Sequence, residues 1–246
     1  MPAELPYVAG VPASGRGPLV LVTGPARSGK SRFAASLAAR APGPVTVLAT
    51  GLPTDPEMAA RIAAHRAERP PSWRTVEEPH DALAALERLG KEPGTVILEC
   101  LGFLLANWLC PDHAGASSGA APAGPAADHL GGTPGGAAAG GAQDEGELLG
   151  RVRALAAAAR DCAARVIVVS NEVGWGVVPA YAAGRRFRDL LGRANQVVAA
   201  AADEVWLVVA GLALELKASG LAVPVPPPGR GAAASAPGGD LGEGRP

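Results

Sequence analysis

An apolar run that stops on glycine constrains this chain more than any other feature. Leu19–Thr23 reads LVLVT and is followed at once by Gly24-Pro25-Ala26-Arg27-Ser28-Gly29-Lys30-Ser31. That octapeptide fits G-x-x-x-x-G-K-[ST], and residues 31–41 after it have helical character. A strand, a glycine turn and a helix in that order make a cradle for phosphate. The glycines let backbone N–H groups turn inward and approach an oxyanion closely. The first turn of the helix adds unpaired donors and a partial positive charge. Lys30 brings a point charge to the β- and γ-phosphates of a nucleotide, and the Ser31 hydroxyl is placed to ligate Mg²⁺.

The chain around this motif alternates between two kinds of segment. Val45–Ala49 (VTVLA), 95–100 (TVILEC), 165–170 (RVIVVS) and 204–210 (EVWLVVA) are short, continuous apolar runs. Between them, helices are expected over 55–68, 81–89, from 103 through 109 into the segment beyond, over 147–164 and over 180–202. The last carries Phe187, Leu190, Leu191, Ala194, Val197 and Val198 on one side, and the first carries Met58 and Ile62 one turn apart, on a side expected to be buried. Continuous rather than alternating apolar strands suit a parallel sheet covered on both faces. The fold class expected is α/β, doubly wound.

Glycine (33) and proline (24) are in excess for 246 residues, and the excess is local. It gathers in 111–146 and 218–246, which lack the apolar periodicity needed to offset the ordering entropy of the backbone. Together with 1–17, these read as segments outside the fold: an N-terminal arm, an insertion and a tail. The domain is then 18–217, interrupted once, and it is large enough to bury its own core. Twenty-two basic against 23 acidic residues, for a net charge of −1, argue against a nucleic-acid binder working by bulk positive charge. No run approaches the ~18 apolar residues of a membrane span, and 1–17 lacks a signal pattern. Cys100, Cys110 and Cys162 follow no metal or disulfide spacing. A reducing, cytoplasmic setting is expected.

Two further residues attract chemistry. Glu99 ends the apolar run TVIL, where a nucleotide-binding domain of this type places an acid for its magnesium shell; the competing reading is a plain strand-terminal carboxylate. In EMAARIAAHRAERP, Arg61 and His65 are four apart on one helical face, which Arg69 would extend. Neighbouring positive charge disfavours a second cation on the imidazole and leaves its nitrogen nucleophilic, while the arginines suit a polyphosphate. Of the other histidines, His113 and His129 fall in the insertion and His80 in a loop after a glutamate pair.

In this order, GPARSGKSRFAASLA, DPEMAARIAAHRAERPPSWRTVEEP, VILECLGFLLANWL and the block from VIVVSNEVGWGVVP through FRDLLGRANQ to ELK resemble the bifunctional adenosylcobinamide kinase / adenosylcobinamide-phosphate guanylyltransferase family. The resemblance runs from about Leu19 to Lys217, apart from the insertion. It implies a P-loop NTPase with a RecA-like, mostly parallel sheet, assembled as a homotrimer. It implies two reactions: ATP or GTP phosphorylates adenosylcobinamide, and GTP then gives GMP to a histidine, which passes it to the cobinamide phosphate. Carried over, the nucleotide contacts fall on Gly24, Pro25, Ala26, Arg27, Ser28, Gly29, Lys30 and Ser31, on Ala49, Thr50 and Gly51, on Arg66, Ala67, Glu68 and Arg69, and on Glu77 and Glu99. The guanylylated histidine is His65, preceded here by Ala64 where some members carry a second histidine. Lys30 is the catalytic cation, and Ser31 and Glu99 hold Mg²⁺. Asn171 and Glu172, ending a strand, are expected to face the corrinoid; the competing reading is a plain polar strand-to-loop turn. Two other readings stand beside this one. The first is a single-function kinase of a small metabolite with His65 idle. The second is a nucleotide-gated DNA-binding assembly protein, for which the basic stripe and stacking aromatics are missing.

Overall fold

The computed structural model describes residues 15–110 and 144–219. Seven strands form one sheet: β1 (Leu19–Thr23), β2 (Val45–Ala49), β3 (Arg74–Glu77), β4 (Thr95–Glu99), β5 (Arg165–Val169), β6 (Glu204–Val209) and β7 (Leu212–Glu215). Their order is β3-β2-β4-β5-β1-β6-β7. Every pairing is parallel except β6 with β7, a hairpin at one edge. The helices are α1 (Lys30–Arg40), α2 (Pro56–Ala67), α3 (Ala82–Leu89), α4 (Leu101–Leu109), α5 (Glu145–Asp161) and α6 (Ala182–Ala201). A single 3₁₀ turn, Val173–Trp175, lies between β5 and α6.

The continuous apolar strands split by period two into two cores. Leu19, Leu21, Leu48, Val96, Leu98, Val166 and Val168 point to one face, where Leu86 of α3, Leu104 and Leu105 of α4, Leu155 of α5 and Leu190 of α6 cover them. Val20, Val22, Val47, Ile97, Ile167 and Val169 point the other way, toward Ala34 and Ala38 of α1. Both sets must be apolar because both faces are roofed, which is why no alternation shows in the sequence. Phe33 of α1 also meets Trp206 of β6, ring centroids 5.0 Å apart.

The expected elements are present, with shifted ends and two additions. β3 was not anticipated: RTVE has one large aliphatic residue, and its place comes from ladder bonds to β2. β7 was likewise missed, since an edge hairpin strand needs no apolar run, and Leu212 and Leu214 are largely exposed. α2 departs from expectation in another way. Asp55 caps it, accepting from Met58 N at 2.7 Å, and Pro56 opens it, so its start is encoded locally. Yet no residue of α2 is fully buried. Met58 and Ile62 are half-buried and line a cleft rather than the core.

Of the three segments expected outside the fold, the bulk lies outside the described residues, as do His113 and His129. Their edges carry structure. Glu145 and Gly146 already belong to α5. Ser219 Oγ donates to Leu216 O at 2.9 Å, and Ala218 N to the Glu215 carboxylate. Arg16 grips Asp203 through two bonds, of 2.6 and 2.9 Å, and Asp203 also accepts from Leu19 N at 2.8 Å.

The Arg16 hydrogen bond, foremost, and the Leu19 amide hold the Asp203 carboxyl below its ordinary range, against an opposing push from partial burial. A carboxyl with a depressed folded-state value stabilises the fold above its unfolded value of about 3.9 and loses that contribution as pH falls through the lower folded value. Asp203→Asn is therefore expected to lower the urea midpoint near neutral pH. Its midpoint should also fall less steeply than that of the unaltered chain between neutral and acid pH, as followed by circular dichroism.

Candidate functional site

The six parallel strands release their chain at the same end of the sheet, and the glycine turn after β1 sits there. Gly24 has φ 153° and Gly29 φ 98°. At Gly24 a Cβ would come within 2.2 Å of Val208 O, so the turn requires glycine for space as well as for conformation. Gly29 is the N-cap of α1 and offers no side chain to the first-turn amides. Those donors are left for a ligand. Two neighbours lock the turn: Glu172 N donates to Gly24 O at 2.9 Å, and Gly211 N donates to Ser28 O at 2.9 Å. Ser28 Oγ is buried and has no hydrogen-bond partner.

Lys30 is buried, and its Nζ donates to Pro25 O at 3.2 Å, across the turn. Burial is the main influence lowering its pKa, and the Arg61 guanidinium adds to it; Cys100 and Glu99 act the other way. A desolvated ammonium that has only a carbonyl as partner gains from an incoming phosphate.

Facing the turn is α2. Lys30, Ser31, Ala49, Gly51, Met58, Arg61, Ile62, His65, Arg69, Glu99 and Asn171 line one cleft, with Cys100 and Phe103 at its floor. The opening continues past His65 to Arg27, Ser28, Gly29, Arg32, Glu57 and Glu68. Met58, Ile62 and His65 share the inward face because they recur at helical spacing, and Arg69, two residues past the end of α2, lines the same cleft. His65 is thus on the wall opposite Lys30 and Ser31.

The other expected contacts fall into two sets. Arg69 pairs with Glu99 at 2.9 Å and also donates to Thr75 Oγ1 at 3.1 Å, which ties α2 to the sheet. Arg66 and Glu77 pair at 3.2 Å on the exposed outer side, away from the cleft. Ala67 is exposed. Thr50 is fully buried: its hydroxyl donates to Cys100 O at 2.7 Å, and its carbonyl accepts from Asn107 at 2.8 Å. Its side chain braces the loop after β2. The Glu99–Cys100 peptide is cis.

Sequence reasoning missed the polar knot behind Glu172. The Glu172 carboxylate accepts from Thr23 Oγ1 at 2.8 Å and from Asn195 Nδ2 at 2.9 Å. Asn195 also donates to Asn171 O at 3.1 Å and accepts from Ser170 Oγ at 2.6 Å. The signal was available: Asn195 occupies a buried position inside the apolar stripe of α6, where a polar residue must find partners.

Two oxygen donors on the cleft, Ser31 Oγ and the Glu99 carboxylate, suit Mg²⁺, which takes one or two protein oxygens and completes its shell with phosphates and water. Among the described residues no group of three or more His, Cys, Asp or Glu could hold a metal by itself. No helix there is long and apolar enough to cross a membrane.

A seven-strand, mostly parallel sheet with this turn at its carboxyl edge defines an α/β protein of P-loop NTPase-like fold. The chain belongs to the cobinamide kinase / cobinamide phosphate guanyltransferase family, whose model matches residues 20–216. It is 39% identical over 200 residues to the bifunctional adenosylcobalamin biosynthesis protein CobU of Escherichia coli K12, covering 81% of this chain and 99% of that one. It is 39% identical over 201 residues to the protein of the same name from Salmonella typhimurium LT2, with the same coverage of both. The bifunctional adenosylcobalamin biosynthesis protein CobP of Pseudomonas aeruginosa PAO1 is 38% identical over 198 residues, covering 80% and 96%.

Two outcomes follow from the site. Gly24→Ala forces a Cβ against a backbone carbonyl and is expected to cost about 2–4 kcal/mol in urea unfolding, with loss of nucleotide affinity. Burial pushes the Cys100 thiol up to about 11, so at pH 8 it stays protonated and shielded. Iodoacetamide on the folded protein should label the half-buried Cys110 first, and Cys100 only after unfolding, as read by peptide mass spectrometry.

Proposed function

We propose that this chain is a bifunctional transferase: it phosphorylates adenosylcobinamide with ATP or GTP, then moves GMP from GTP through His65 to the cobinamide phosphate. The family supports the two activities. The observation that carries the assignment to residues is the placement of His65 across a single cleft from Lys30 and Ser31. The triphosphate lies in the turn from Gly24 to Ser31, with Lys30 released from Pro25 O to the β- and γ-phosphates. Mg²⁺ bound by Ser31 and Glu99 would neutralise charge on the phosphate oxygens.

In the first reaction the acceptor hydroxyl attacks the γ-phosphorus, its proton passes to solvent, and the nucleoside diphosphate leaves; the turn positions the donor. In the second, a ring nitrogen of His65 attacks the α-phosphorus of GTP. A P–N bond forms, the bond to pyrophosphate breaks, and the charge on the departing pyrophosphate is met by Lys30 and the turn amides. The cobinamide phosphate oxygen then attacks the same phosphorus, breaking the P–N bond and freeing the imidazole. Splitting the transfer through a covalent carrier replaces one hard displacement by two easier ones. The Arg69–Glu99 and Arg66–Glu77 pairs fix the end of α2 that carries His65. The resemblance further implies a cytoplasmic homotrimer, for which the mass in solution by light scattering is the check.

Incubation with GTP labelled at the α-phosphate should leave acid-labile, alkali-stable label on His65. His65→Ala should abolish that label and GMP transfer while corrinoid phosphorylation persists. Label on another residue, or GMP transfer by the variant, would take the carrier role from His65; no label and no GMP transfer by the unaltered chain would return it to a single-function kinase with His65 idle.

A further inference from the structure

Beyond β5 the chain leaves the cleft at Asn171, passes Glu172 and continues as VGWGVVPAY before α6 begins. Val173 packs against the core, but the large apolar side chains that follow it do not. Trp175 and Val178 are each 58% exposed and Val177 is 95% exposed, with Tyr181 also at the surface. The other exposed large apolar side chains among the described residues, Val209, Leu212 and Leu214, belong to the β6–β7 hairpin.

The rim segment is held at both ends. Upstream, Glu172 is bonded to Gly24, Thr23 and Asn195. Downstream, Arg185 donates to Pro179 O at 3.0 Å and to Ala180 O at 2.7 Å. The Tyr181 ring lies so close over Gly184 that a Cβ there would come within 2.5 Å of it. A backbone pinned in this way, showing four large apolar side chains to water, is a surface suited to being covered.

The substrate of the proposed reaction is the occupant with the right chemistry, and the inference rests on that reading. A corrinoid is a broad ring whose faces carry methyl and methylene groups and whose rim carries amides. Its alcohol arm must reach the phosphates in the cleft while the ring itself stays at the mouth. We propose that Trp175, Val177, Val178 and Tyr181 form the shelf on which the corrin ring lies, with Asn171 and Glu172 between the ring and the phosphates. Asn171 lines the cleft and Trp175 follows it by four residues, so the shelf starts a short stretch of chain from the nucleotide site. Trp175 and Tyr181 offer flat aromatic faces, and the valines cover the methyl-bearing surface.

The test uses the full chain, a Val177→Asp/Val178→Asp double variant and Trp175→Ala, with three readouts. These are equilibrium binding of adenosylcobinamide, labelling of the protein by GTP alone, and mass by light scattering. The shelf predicts a corrinoid Kd, and a KM in phosphorylation, raised roughly tenfold or more in each variant. Labelling by GTP, which needs no corrinoid, should stay within about twofold of the unaltered chain and so report intact folding, with mass unchanged. An unchanged corrinoid Kd overturns the proposal. So does a fall in mass with loss of labelling, which would make the segment a contact between copies of this chain. An unaltered chain that binds corrinoid on this shelf but transfers no phosphate or GMP would sink the functional reading and leave the shelf standing.

Discussion

The hydrogen bonds that hold the turn from Gly24 to Ser31 are the constraint on which the rest of the molecule depends. Glycine makes the turn possible but does not make it rigid, and a free glycine-rich loop would lose much entropy on closing around a phosphate. Here Glu172 N bonds Gly24 O on one side and Gly211 N bonds Ser28 O on the other. Each donor comes from a neighbouring strand's carboxyl end, one after β5 and one after β6. The strands flanking β1 therefore set the shape of the cradle, and the two packed cores set the strands. The β6–β7 hairpin, unremarkable as an edge, acquires a role as the clamp that reaches Ser28.

Charge is distributed unevenly around the cleft. Arg66 and Arg69 each have a carboxylate, so they act as struts between α2 and the sheet edge. Lys30 has only a backbone carbonyl as hydrogen-bond partner, and burial, with Arg61 adding to it, disfavours its charge against the pull of Cys100 and Glu99. Positive charge that no carboxylate hydrogen-bonds is thus concentrated beside the first-turn amides of α1, where a triphosphate would stabilise it. α2 has no fully buried residue and is held by its cap, its two ion pairs and half-buried contacts with the cleft. The element that carries His65 is consequently the least anchored helix near the site, which suits the carrier role proposed for it.

Much of the architecture was legible because the signals were local or periodic. Leu19–Thr23 and the octapeptide after it specify strand, turn and helix within themselves, and continuous Val/Leu/Ile runs in β2, β4, β5 and β6 announce burial on both faces. β3 and β7 escaped notice because ladder bonds and a neighbour's edge place them, with little help from their own composition. The same limit applied to Met58 and Ile62. Helical spacing showed that they share a face with each other, but not that this face looks into a cleft instead of the core.

By itself the sequence determined the phosphate cradle, the parallel α/β class and the helical face that groups His65 with Arg61, since each depends on residues within one or two turns of one another. Only the tertiary structure decided which partners those residues meet. It set His65 opposite Lys30, gave Arg69 to Glu99, tied Glu172 to Thr23 and Asn195, and left Trp175 and Val177 uncovered at the rim. Those relations join residues thirty or more positions apart in most cases, and they follow from the order in which the strands pair, which no local pattern contains.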